Sequence, residues 1–472
     1  MSQYSKTFIA VICGAALLSD GYVNNSISVV ISLLKKQYPE AAANNQELFS
    51  SIVPFTYLGT IIGMLTFGWI ADKYGRKAGM ISANLLLIFF TLCCAASFEI
   101  GGTADSLFWM LLVFRTFLGI GIGAEYPTGS VAAAESTGEE DSGGHSLFVL
   151  VTDLAINIGF ILSQFTAFLL ALIFQTSVNG LPNYDAIWRT LIALGVAIPI
   201  IIFFYRVQLA EPKAYAENCL KKKVPISLVL KKYWFRLAGC GLIWMIYNLV
   251  AFPFGNFISI ITDNIYGYGS SSLSTNYWWD TVTLLFYIPG SLASAFFVKR
   301  IGPKKTLMLG LFLQAVTAVI LYIGWNSIQP SVVWFSVVYG CFLAFGELGP
   351  GGCIGLIAAN SCPSAVRGQF YGVAAALGKV GAFIGTKYFF LLQKQFGPST
   401  SVDYNRGPFI VAAALNLFAI ILVFIFVGVI GEDAVERDNA DFREYLIDNG
   451  YDSSVFGIES SPKSLEDDKI NK

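Results

Sequence analysis

Twelve long apolar runs restrict what this chain can fold into more than any other feature of its sequence. Each run has about 20 residues or more, and about 20 are enough for an α-helix to cross a hydrocarbon core of roughly 30 Å. Lipid offers the backbone no hydrogen bonds, so the crossing segments must be helices or a closed barrel, and continuous apolar runs favour helices. The runs lie near residues 7–34, 50–71, 78–98, 107–134, 145–175, 187–205, 237–262, 277–300, 305–325, 331–360, 368–395 and 407–430.

The composition also indicates a chain whose main solvent is the lipid bilayer. Of its 472 residues, 55% are hydrophobic and only 13% are charged, whereas soluble proteins carry roughly 25% charged residues. The first apolar run is too long for a signal peptide and contains Asp20 and Asn24, so we expect it to remain as the first span. The net charge of −1 says nothing about nucleic acid, and we expect no nucleic-acid partner.

The cysteines and the histidine do not suggest a disulfide framework, a metal site or another cofactor site. The single histidine, His145, lies at a loop–helix junction and offers little for a metal or proton-relay site. We expect the cysteines to act as small buried hydrophobes, because seven of them fall in or beside the spans: Cys13, Cys93, Cys94, Cys240, Cys341, Cys353 and Cys362.

Basic residues collect in alternate loops and predict the orientation of the chain. They concentrate at 72–77, at 299–305 and at 206–236, where eight Lys or Arg stand against two Glu. The positive-inside rule places all three segments in the cytoplasm, and twelve spans then place both termini there. The tail after residue 431 has twelve Asp or Glu against five Lys or Arg, which predicts a solvated, partly disordered segment.

The sequence contains a degraded internal repeat. The loop at 72–75 aligns with 299–302, and GAEYPTG in the fourth run aligns with GELGPGG in the tenth. We therefore predict an all-α membrane protein with twelve transmembrane helices in two six-helix halves, and a binding site near the midplane between them. The predicted domains are an N-terminal half at 1–205, a cytoplasmic linker at 206–236, a C-terminal half at 237–430 and an acidic cytoplasmic tail at 431–472.

The loop after the second run, GWIADKYGRK, resembles the G-x-x-x-D-[RK]-x-G-R-[RK] motif of the major facilitator superfamily. A glycine allows two helices to approach closely, and Asp72 can bind a helix N-terminus or a cation, so the loop and its helices would move as a unit. The resemblance implies a conformational-switch loop whose residues here are Gly68, Asp72, Gly75, Arg76 and Lys77.

Four further segments resemble the fungal glycerophosphodiester permeases of that superfamily, which are related to phosphate:proton symporters. They are LLSDGYVNNSIS, GIGIGAEYPTGSVAAAES, AIWRT and GKVGAFIG, and the similarity covers nearly the whole chain. The resemblance implies proton-coupled uptake of a glycerophosphodiester across the plasma membrane by alternating access. It implies no enzymatic activity and no cofactor beyond the proton gradient, and we expect a monomer.

Charged side chains inside the spans are candidates for function, because each costs roughly 2.5–3.5 kcal/mol at the bilayer centre. Glu125 is our first candidate for the residue that carries the coupling proton, and Asp20 and Arg115 are further candidates for proton coupling. A carboxylate whose hydration alternates between the two faces can bind a proton on one side and release it on the other. The resemblance implies the same role, since the phosphate symporters have an acid here. The alternative is a structural ion pair of Glu125 with Arg115 or with another helix.

Other polar residues in the spans are candidates for substrate binding. Lys379 in the eleventh run requires an anion, and the resemblance implies that it contributes to substrate handling and coupling; structural pairing is the alternative. Tyr126 follows Glu125 as a tyrosine follows the acid of the phosphate symporters. Asp153 and Asn157 are one helical turn apart and could face the cavity together, and Asn24 lies near Asp20.

The seventh run departs from the phosphate symporters, which carry W-x-x-x-D-x-x-x-Y there. The matching residues here are Trp244, Asn248 and Phe252, and in the tenth run Gly351 replaces the asparagine of the FGPN motif. An amide cannot release a proton, and a phenyl ring cannot donate a hydrogen bond to phosphate. We therefore expect a pocket for a substrate larger than phosphate, with an apolar or aromatic wall.

A glycerophosphodiester, which is anionic or zwitterionic depending on its head group, fits that description. Amide and carboxyl side chains would suit inositol. Aromatic faces would suit choline through cation–π contacts of about 0.5–2 kcal/mol each: Trp244, Tyr247, Phe252, Trp278 and Trp279. The alternatives are an inorganic phosphate:proton symporter, a nutrient sensor that no longer transports and, least favoured, a membrane enzyme.

Overall fold

The structure is a computed structural model that describes residues 6–137, 142–175, 182–212, 215, 226–256, 258–259, 272–398, 401–428 and 434–450. It confirms the twelve predicted spans. Eleven of them begin and end within about five residues of the expected positions, whereas the seventh begins at Ser227 instead of 237, so the end of the predicted linker at 206–236 is helical. The twelve spans are α1 (Thr7–Gln37), α2 (Gln46–Tyr74), α3 (Arg76–Ala95), α4 (Ala104–Ser136), α5 (Gly143–Ile173), α6 (Tyr184–Gln208), α7 (Ser227–Asn256), α8 (Leu273–Ile301), α9 (Pro303–Ile328), α10 (Val332–Ala359), α11 (Ser364–Gln395) and α12 (Val402–Phe426).

Large apolar side chains cover the outside of the bundle, as expected for a surface that contacts lipid. Ile323 and Phe424 are each 73% exposed, and Ile173 is 70% exposed. Many polar side chains are buried instead, including Asp20, Glu125 and Lys379. This arrangement is the reverse of a water-soluble bundle, because hydrocarbon cannot satisfy polar groups and the protein interior must do so.

Glycines bring the backbones of α2 and α4 into direct contact. A Cβ atom added to Gly119 would lie 2.1 Å from the Thr56 carbonyl oxygen, and one at Gly123 would lie 2.1 Å from the Thr60 carbonyl oxygen. No larger residue fits at either position without moving a helix. These glycines are therefore close-packing positions between α2 and α4.

The two six-helix halves meet along two pairs of helices, α2 with α11 and α5 with α8. Gly68 and Gly372 lie at the first contact, where an added Cβ would approach the Gly368 and Met64 carbonyl oxygens to 2.8 and 2.4 Å. The internal repeat is visible as well, because α4 and α10, the fourth helix of each half, both contain a π-helical turn, Tyr126–Ser130 and Glu347–Gly351. A third such turn, Leu150–Leu154, lies in α5.

The tail contains a helix, α13 (Ala434–Asp448), that packs against the rest of the protein. Its apolar side chains Phe442 and Leu446 are buried against Tyr233 of α7 and Phe370 of α11. Asp438 accepts a hydrogen bond from Arg236 at 2.6 Å. The prediction of a solvated, partly disordered tail is therefore wrong for Ala434–Asp448, because one face of this helix is apolar enough to bury. Residues 429–433 and 451–472 lie outside the described residues.

The described cysteines are all free, and most are buried as expected. Cys13, Cys94, Cys240, Cys353 and Cys362 are buried, whereas Cys93 and Cys341 are half-buried.

Candidate transport site

A cavity of about 110 Å³ lies between the two halves of the protein. The N-terminal half contributes α1, α4 and α5, and the C-terminal half contributes α7, α8, α10 and α11. Most of the residues predicted to bind substrate line this cavity, together with Asp20: Asn24, Tyr126, Asp153, Asn157, Trp244, Tyr247, Asn248, Phe252, Gly351 and Lys379. Helices far apart in the sequence therefore bring one cation, several acids and a set of aromatic rings to a single chamber.

Lys379 presents its amine to the cavity among aromatic rings. Its Nζ atom lies 3.9 Å from the ring centroid of Phe252, 5.1 Å from that of Tyr126 and 5.8 Å from that of Tyr57. Cation–π contacts of this kind stabilise a desolvated ammonium group but do not neutralise it. The ion pairs found among the described residues do not include Lys379. The amine is therefore available to an anion in the cavity.

Asp20 is the acid of α1 that lines the same cavity. It is 1% exposed, and neither of its carboxylate oxygens has a hydrogen-bond partner among the described residues. The charges of Glu125, Arg206 and Lys379 all act on Asp20. A buried carboxylate without hydrogen bonds is costly as an ion, so Asp20 stays a candidate for proton binding.

Glu125 lies outside the cavity lining and forms an ion pair with Arg206 of α6. Its Oε1 atom accepts a hydrogen bond from Arg206 Nη1 at 2.7 Å, and neither side chain is exposed. The same guanidinium donates to the backbone oxygens of Met80 and Cys13 at 3.2 and 2.8 Å. No described residue forms a hydrogen bond with the second Glu125 oxygen, Oε2. The sequence left two partners open for an ion pair of Glu125, Arg115 or another helix. The structure shows the second, with Arg206 of α6.

Arg115 is not brought to Glu125. It is 1% exposed, and its Nε atom donates to the Thr56 hydroxyl on α2 at 3.1 Å, while its Nη1 atom has no hydrogen-bond partner in the described ranges. The spacing of ten residues places Arg115 and Glu125 almost three turns apart along α4, about 15 Å in rise. The two side chains of one straight helix are therefore too far apart to form an ion pair.

One face of α7 supplies the aromatic wall predicted from sequence. The Trp244 ring packs edge-on against Tyr371 with 5.6 Å between centroids, and Phe252 packs against Tyr57 at 5.0 Å. The Asn248 amide nitrogen has no hydrogen-bond partner within the part of the chain that the structure describes. Trp278 and Trp279 do not line the cavity. Trp278 is 43% exposed and packs against Phe168. The expectation that the Trp278 and Trp279 rings belong to the aromatic wall of the substrate pocket is therefore wrong.

A carboxyl pair lies at the α5–α10 side of the cavity. Asp153 is within hydrogen-bonding distance of Glu347 and of the Ser291 hydroxyl. Glu347 Oε1 accepts a hydrogen bond from Tyr247 at 3.1 Å. Asn157, one turn beyond Asp153, donates to Ser291 at 2.9 Å. The expected pairing of Asp153 and Asn157 on one cavity-facing side of α5 is thus present.

The predicted switch loop joins the two halves on the face that carries the basic loops 72–77 and 299–305, called here the basic-loop face. Asp72 accepts hydrogen bonds from the backbone N–H groups of Gly368 and Gln369, at 2.9 and 2.8 Å, in the first turn of the long helical segment of α11. It also binds the Arg76 guanidinium at 2.6 Å. Both partners proposed for Asp72, a helix N-terminus and a cation, are therefore present.

Further contacts strengthen this basic-loop face. Arg76 forms a second buried ion pair with Glu135 of α4 at 2.9 Å. Gly75 has φ +105°, which favours glycine, and Glu211 accepts the N–H groups of Arg76 and Lys77 that follow it, at 2.9 and 3.2 Å. Burial raises the pKa of Glu211, and these N–H groups lower it in part.

The opposite face is closed as well. The Asn256 amide donates to the Tyr57 hydroxyl, and Gln164 donates to the Ser259 hydroxyl at 3.2 Å. Each of these hydrogen bonds joins one half to the other. Polar contacts therefore hold the halves together on both sides of the cavity.

Arg206 and Glu347 belong to the site but were not among the predicted site residues. Arg206 is the first residue of the predicted linker and was counted there among the loop cations. Glu347 lies in the tenth run. Its place in GELGPGG, aligned with GAEYPTG, was the available signal, since the aligned segment contains Glu125.

Comparison with known proteins relates the chain to membrane transporters. It matches the pattern of the sugar (and other) transporter family over residues 6–224 and 227–432. A glycerophosphocholine permease of Candida albicans is 40% identical over 461 residues, which cover 97% of this chain and 85% of the relative. A major glycerophosphoinositol permease of the same organism is 39% identical over 467 residues, covering 97% of this chain and 86% of the relative.

The fold is also that of a solved transporter. The proton:xylose symporter XylE superposes with a TM-score of 0.73 at 14% identity, and the match covers 92% of this chain and 98% of XylE. At this identity the likeness concerns the fold alone. It confirms twelve helices arranged as two halves. The relatives named above are permeases, which agrees with the expectation that the chain is a transporter and not an enzyme.

Proposed function

This chain belongs to the family of sugar (and other) transporters of the major facilitator superfamily, and from that premise we propose that it imports glycerophosphodiesters together with protons. The substrates are glycerophosphoinositol or glycerophosphocholine. The central cavity opens alternately to the two sides of the plasma membrane. Relatives with either substrate in their names are similar to this chain at almost equal identity, which supports the class of substrate over a single head group.

The observation that carries this proposal is the amine of Lys379 in a cavity with aromatic walls. A phosphodiester has one negative charge at physiological pH, and one ammonium group balances it. The Asn248 amide and the Tyr126 hydroxyl border the same space and could bind the remaining phosphate oxygens or the glycerol. The rest of the aromatic wall leaves a surface for the head group, which inorganic phosphate lacks.

Proton coupling follows from the charge of the substrate. Import of a monoanion into a cytoplasm that is negative by 100 mV costs roughly 2.3 kcal/mol, so a favourable co-substrate is needed. We assign the coupling proton to Asp20 and Glu125. Asp20 borders the cavity and lies within electrostatic range of Lys379 and of the Glu125–Arg206 pair. Protonation of either acid would change the field in which the substrate anion binds.

The orientation and location belong to the same proposal. The basic-loop face lies in the cytoplasm by the positive-inside rule, with both termini on that side. A single chain encloses the cavity, which supports transport by a monomer.

The test is uptake by purified protein in proteoliposomes, with labelled glycerophosphoinositol and glycerophosphocholine, an acidic exterior and a potential set by a potassium ionophore. We expect accumulation of one or both diesters and weak competition by excess inorganic phosphate. Each net positive charge carried per cycle raises accumulation about 50-fold at an inside-negative potential of 100 mV. One proton per cycle therefore raises accumulation of the zwitterionic choline diester by that factor and leaves that of the inositol diester unchanged, and a second proton would multiply both values by about 50.

Other outcomes would contradict the proposal. Strong competition by phosphate, with accumulation of phosphate itself, would make the protein an inorganic phosphate symporter. Diester binding without counterflow would make it a sensor, and cleaved diester inside the vesicles would make it an enzyme.

A further inference from the structure

We propose that Asp153 of α5 and Glu347 of α10 form a carboxylic acid–carboxylate pair that binds one proton as the basic-loop face closes and releases it as that face opens. The pair would be a second proton site, separate from Asp20 and Glu125. The inference rests on the proposed proton-coupled transport and adds to it a proton that is bound between the two halves.

The geometry brings the two carboxyl groups together from different halves. They are within hydrogen-bonding distance, and each residue lies in a π-helical turn, which re-aims side chains within a helix. Both residues are buried, with 7% and 8% of their surfaces exposed. A Cβ atom at Gly351 would lie 2.0 Å from Glu347 Oε2 and 3.1 Å from Asp153 Oδ1. Both carboxyl groups therefore converge on the space that Gly351 leaves open.

A hydrogen bond between two carboxyl groups requires a proton. An ionised carboxylate only accepts hydrogen bonds, so one member of the pair must be an acid in order to donate. Two ionised carboxylates this close would repel each other, since the ion pairs found among the described residues include neither Asp153 nor Glu347. The remaining carboxylate is stabilised by donors that are present, the hydroxyls of Tyr247 and Ser291.

The helices around the pair supply phenols, a thiol and amides. The charged groups that border the same cavity are Asp20 of α1 and Lys379 of α11, and α9 contributes the amide of Gln314 beside Gly346. The titratable groups that act electrostatically on Asp153, on Glu347 or on both come from α4, α7, α8 and α10: Tyr126, Tyr247, Tyr287 and Cys353. These phenols and this thiol are neutral near pH 7, so the proton is the principal variable charge at the pair.

The position of the pair links the proton to the gate. The pair lies on the cavity side of the contact where Phe148 of α5 approaches Gly355 of α10. Opening of the basic-loop face separates α5 from α10 and admits water between the carboxyl groups. The acid then loses its proton to water, which leaves two hydrated carboxylates. Closure requires one of them to take up a proton again.

The first experiment detects the proton itself and needs no substrate. Infrared difference spectra of the purified protein between acidic and alkaline pH should contain the C=O stretch of a protonated carboxyl group that belongs to the pair. We expect Glu347→Gln and Asp153→Asn each to remove this band. Asp280→Asn is the matched control, because Asp280 is a buried acid of α8 that does not line the cavity. Spectra of both pair variants that match the wild type would overturn the proposal.

The second experiment measures coupling in proteoliposomes. In Glu347→Gln the amide can donate to Asp153 without a proton, so we expect pH-driven accumulation of the diester to fall relative to counterflow exchange by the same variant. At a gradient of one pH unit this ratio of accumulation to exchange should fall about tenfold, because one proton contributes a factor of ten at that gradient. Accumulation and a pH profile equal to the wild type would refute the assignment. If the wild type transports no diester, the proposed function fails, whereas the infrared result still decides the pair.

Discussion

At the residue scale, the clearest feature is the amine of Lys379 above the ring of Phe252. A charge-assisted hydrogen bond contributes about 1.5–3 kcal/mol, so Lys379→Gln should weaken binding of a glycerophosphodiester by a factor of roughly 10 to 150. Isothermal titration with purified protein measures this change.

Lys387 offers a matched control on the same helix. It lies two turns further along α11 and donates to the Ser51 hydroxyl at 2.7 Å, outside the cavity lining. Lys387→Gln should therefore bind the diester with the affinity of the wild type. Unchanged affinity in Lys379→Gln would show that the substrate anion binds elsewhere.

Glu125 has two separable roles, in stability and in coupling. Glu125→Gln leaves the Arg206 guanidinium buried without its counter-ion, and breaking such a pair costs about 3–5 kcal/mol. We expect a lower thermal unfolding temperature for the single variant and recovery in the double variant Glu125→Gln, Arg206→Met. Neither variant should accumulate substrate in response to a pH gradient.

These two measurements separate the explanations of the ion pair. A stable double variant that still accumulates diester under a pH gradient would leave Glu125 with a structural role only. A coupling defect that persists after stability is restored is the result that supports proton binding at Glu125.

At the element scale, the tail helix α13 is attached through few side chains. Phe442 is 1% exposed and Leu446 is fully buried, against α7 and α11. Phe442→Ala removes a buried ring, a change worth about 3 kcal/mol or more in a protein core. We expect the amides of Ala434–Asp448 to exchange faster with solvent deuterium in this variant.

Glu444 serves as the control for that prediction because it is an exposed residue of the same helix. Glu444→Gln should leave amide exchange at the wild-type rate. Equal protection in Phe442→Ala and the wild type would mean that the buried apolar face does not hold the helix in place.

At the scale of the whole molecule, closure of the basic-loop face depends on contacts between the halves. Asp72 binds two N–H groups of α11, and the Arg76 guanidinium reaches the Ser364 carbonyl oxygen at 3.4 Å. Asp72→Asn removes the charge from these hydrogen bonds. A loss of about 1.5 kcal/mol or more shifts a two-state equilibrium roughly tenfold toward the open basic-loop face.

Electron-paramagnetic distance measurements can detect this shift. Spin labels at Ala78 and Lys305 occupy exposed positions near the basic loops of the two halves, in a background without native cysteines. We expect a longer distance population in Asp72→Asn. Lys73→Gln, a change of an exposed neighbour, should leave the distribution unchanged. A distribution in Asp72→Asn identical to the wild type would contradict a gating role for Asp72.

Much of the architecture and most of the cavity were predictable from the sequence because the signals are local. Burial of backbone groups in lipid requires continuous apolar helices, and the cost of charge in a membrane makes Asp20, Glu125 and Lys379 conspicuous within them. The repeated motifs predicted two halves. The departures at Asn248, Phe252 and Gly351 predicted a wider pocket with an aromatic wall, and all three residues line the cavity.

Only the tertiary structure decided which of these groups meet. Glu125 accepts a hydrogen bond from Arg206, 81 positions away, and Arg115 donates to Thr56. Asp153 contacts Glu347 of the other half. The tail helix packs against α7 and α11, although its charge suggested a solvated segment. Such pairings depend on the rotation of each helix about its axis and on the packing between halves. Hydropathy and spacing determine that a polar residue is buried, whereas its partner is set by helices distant in the sequence.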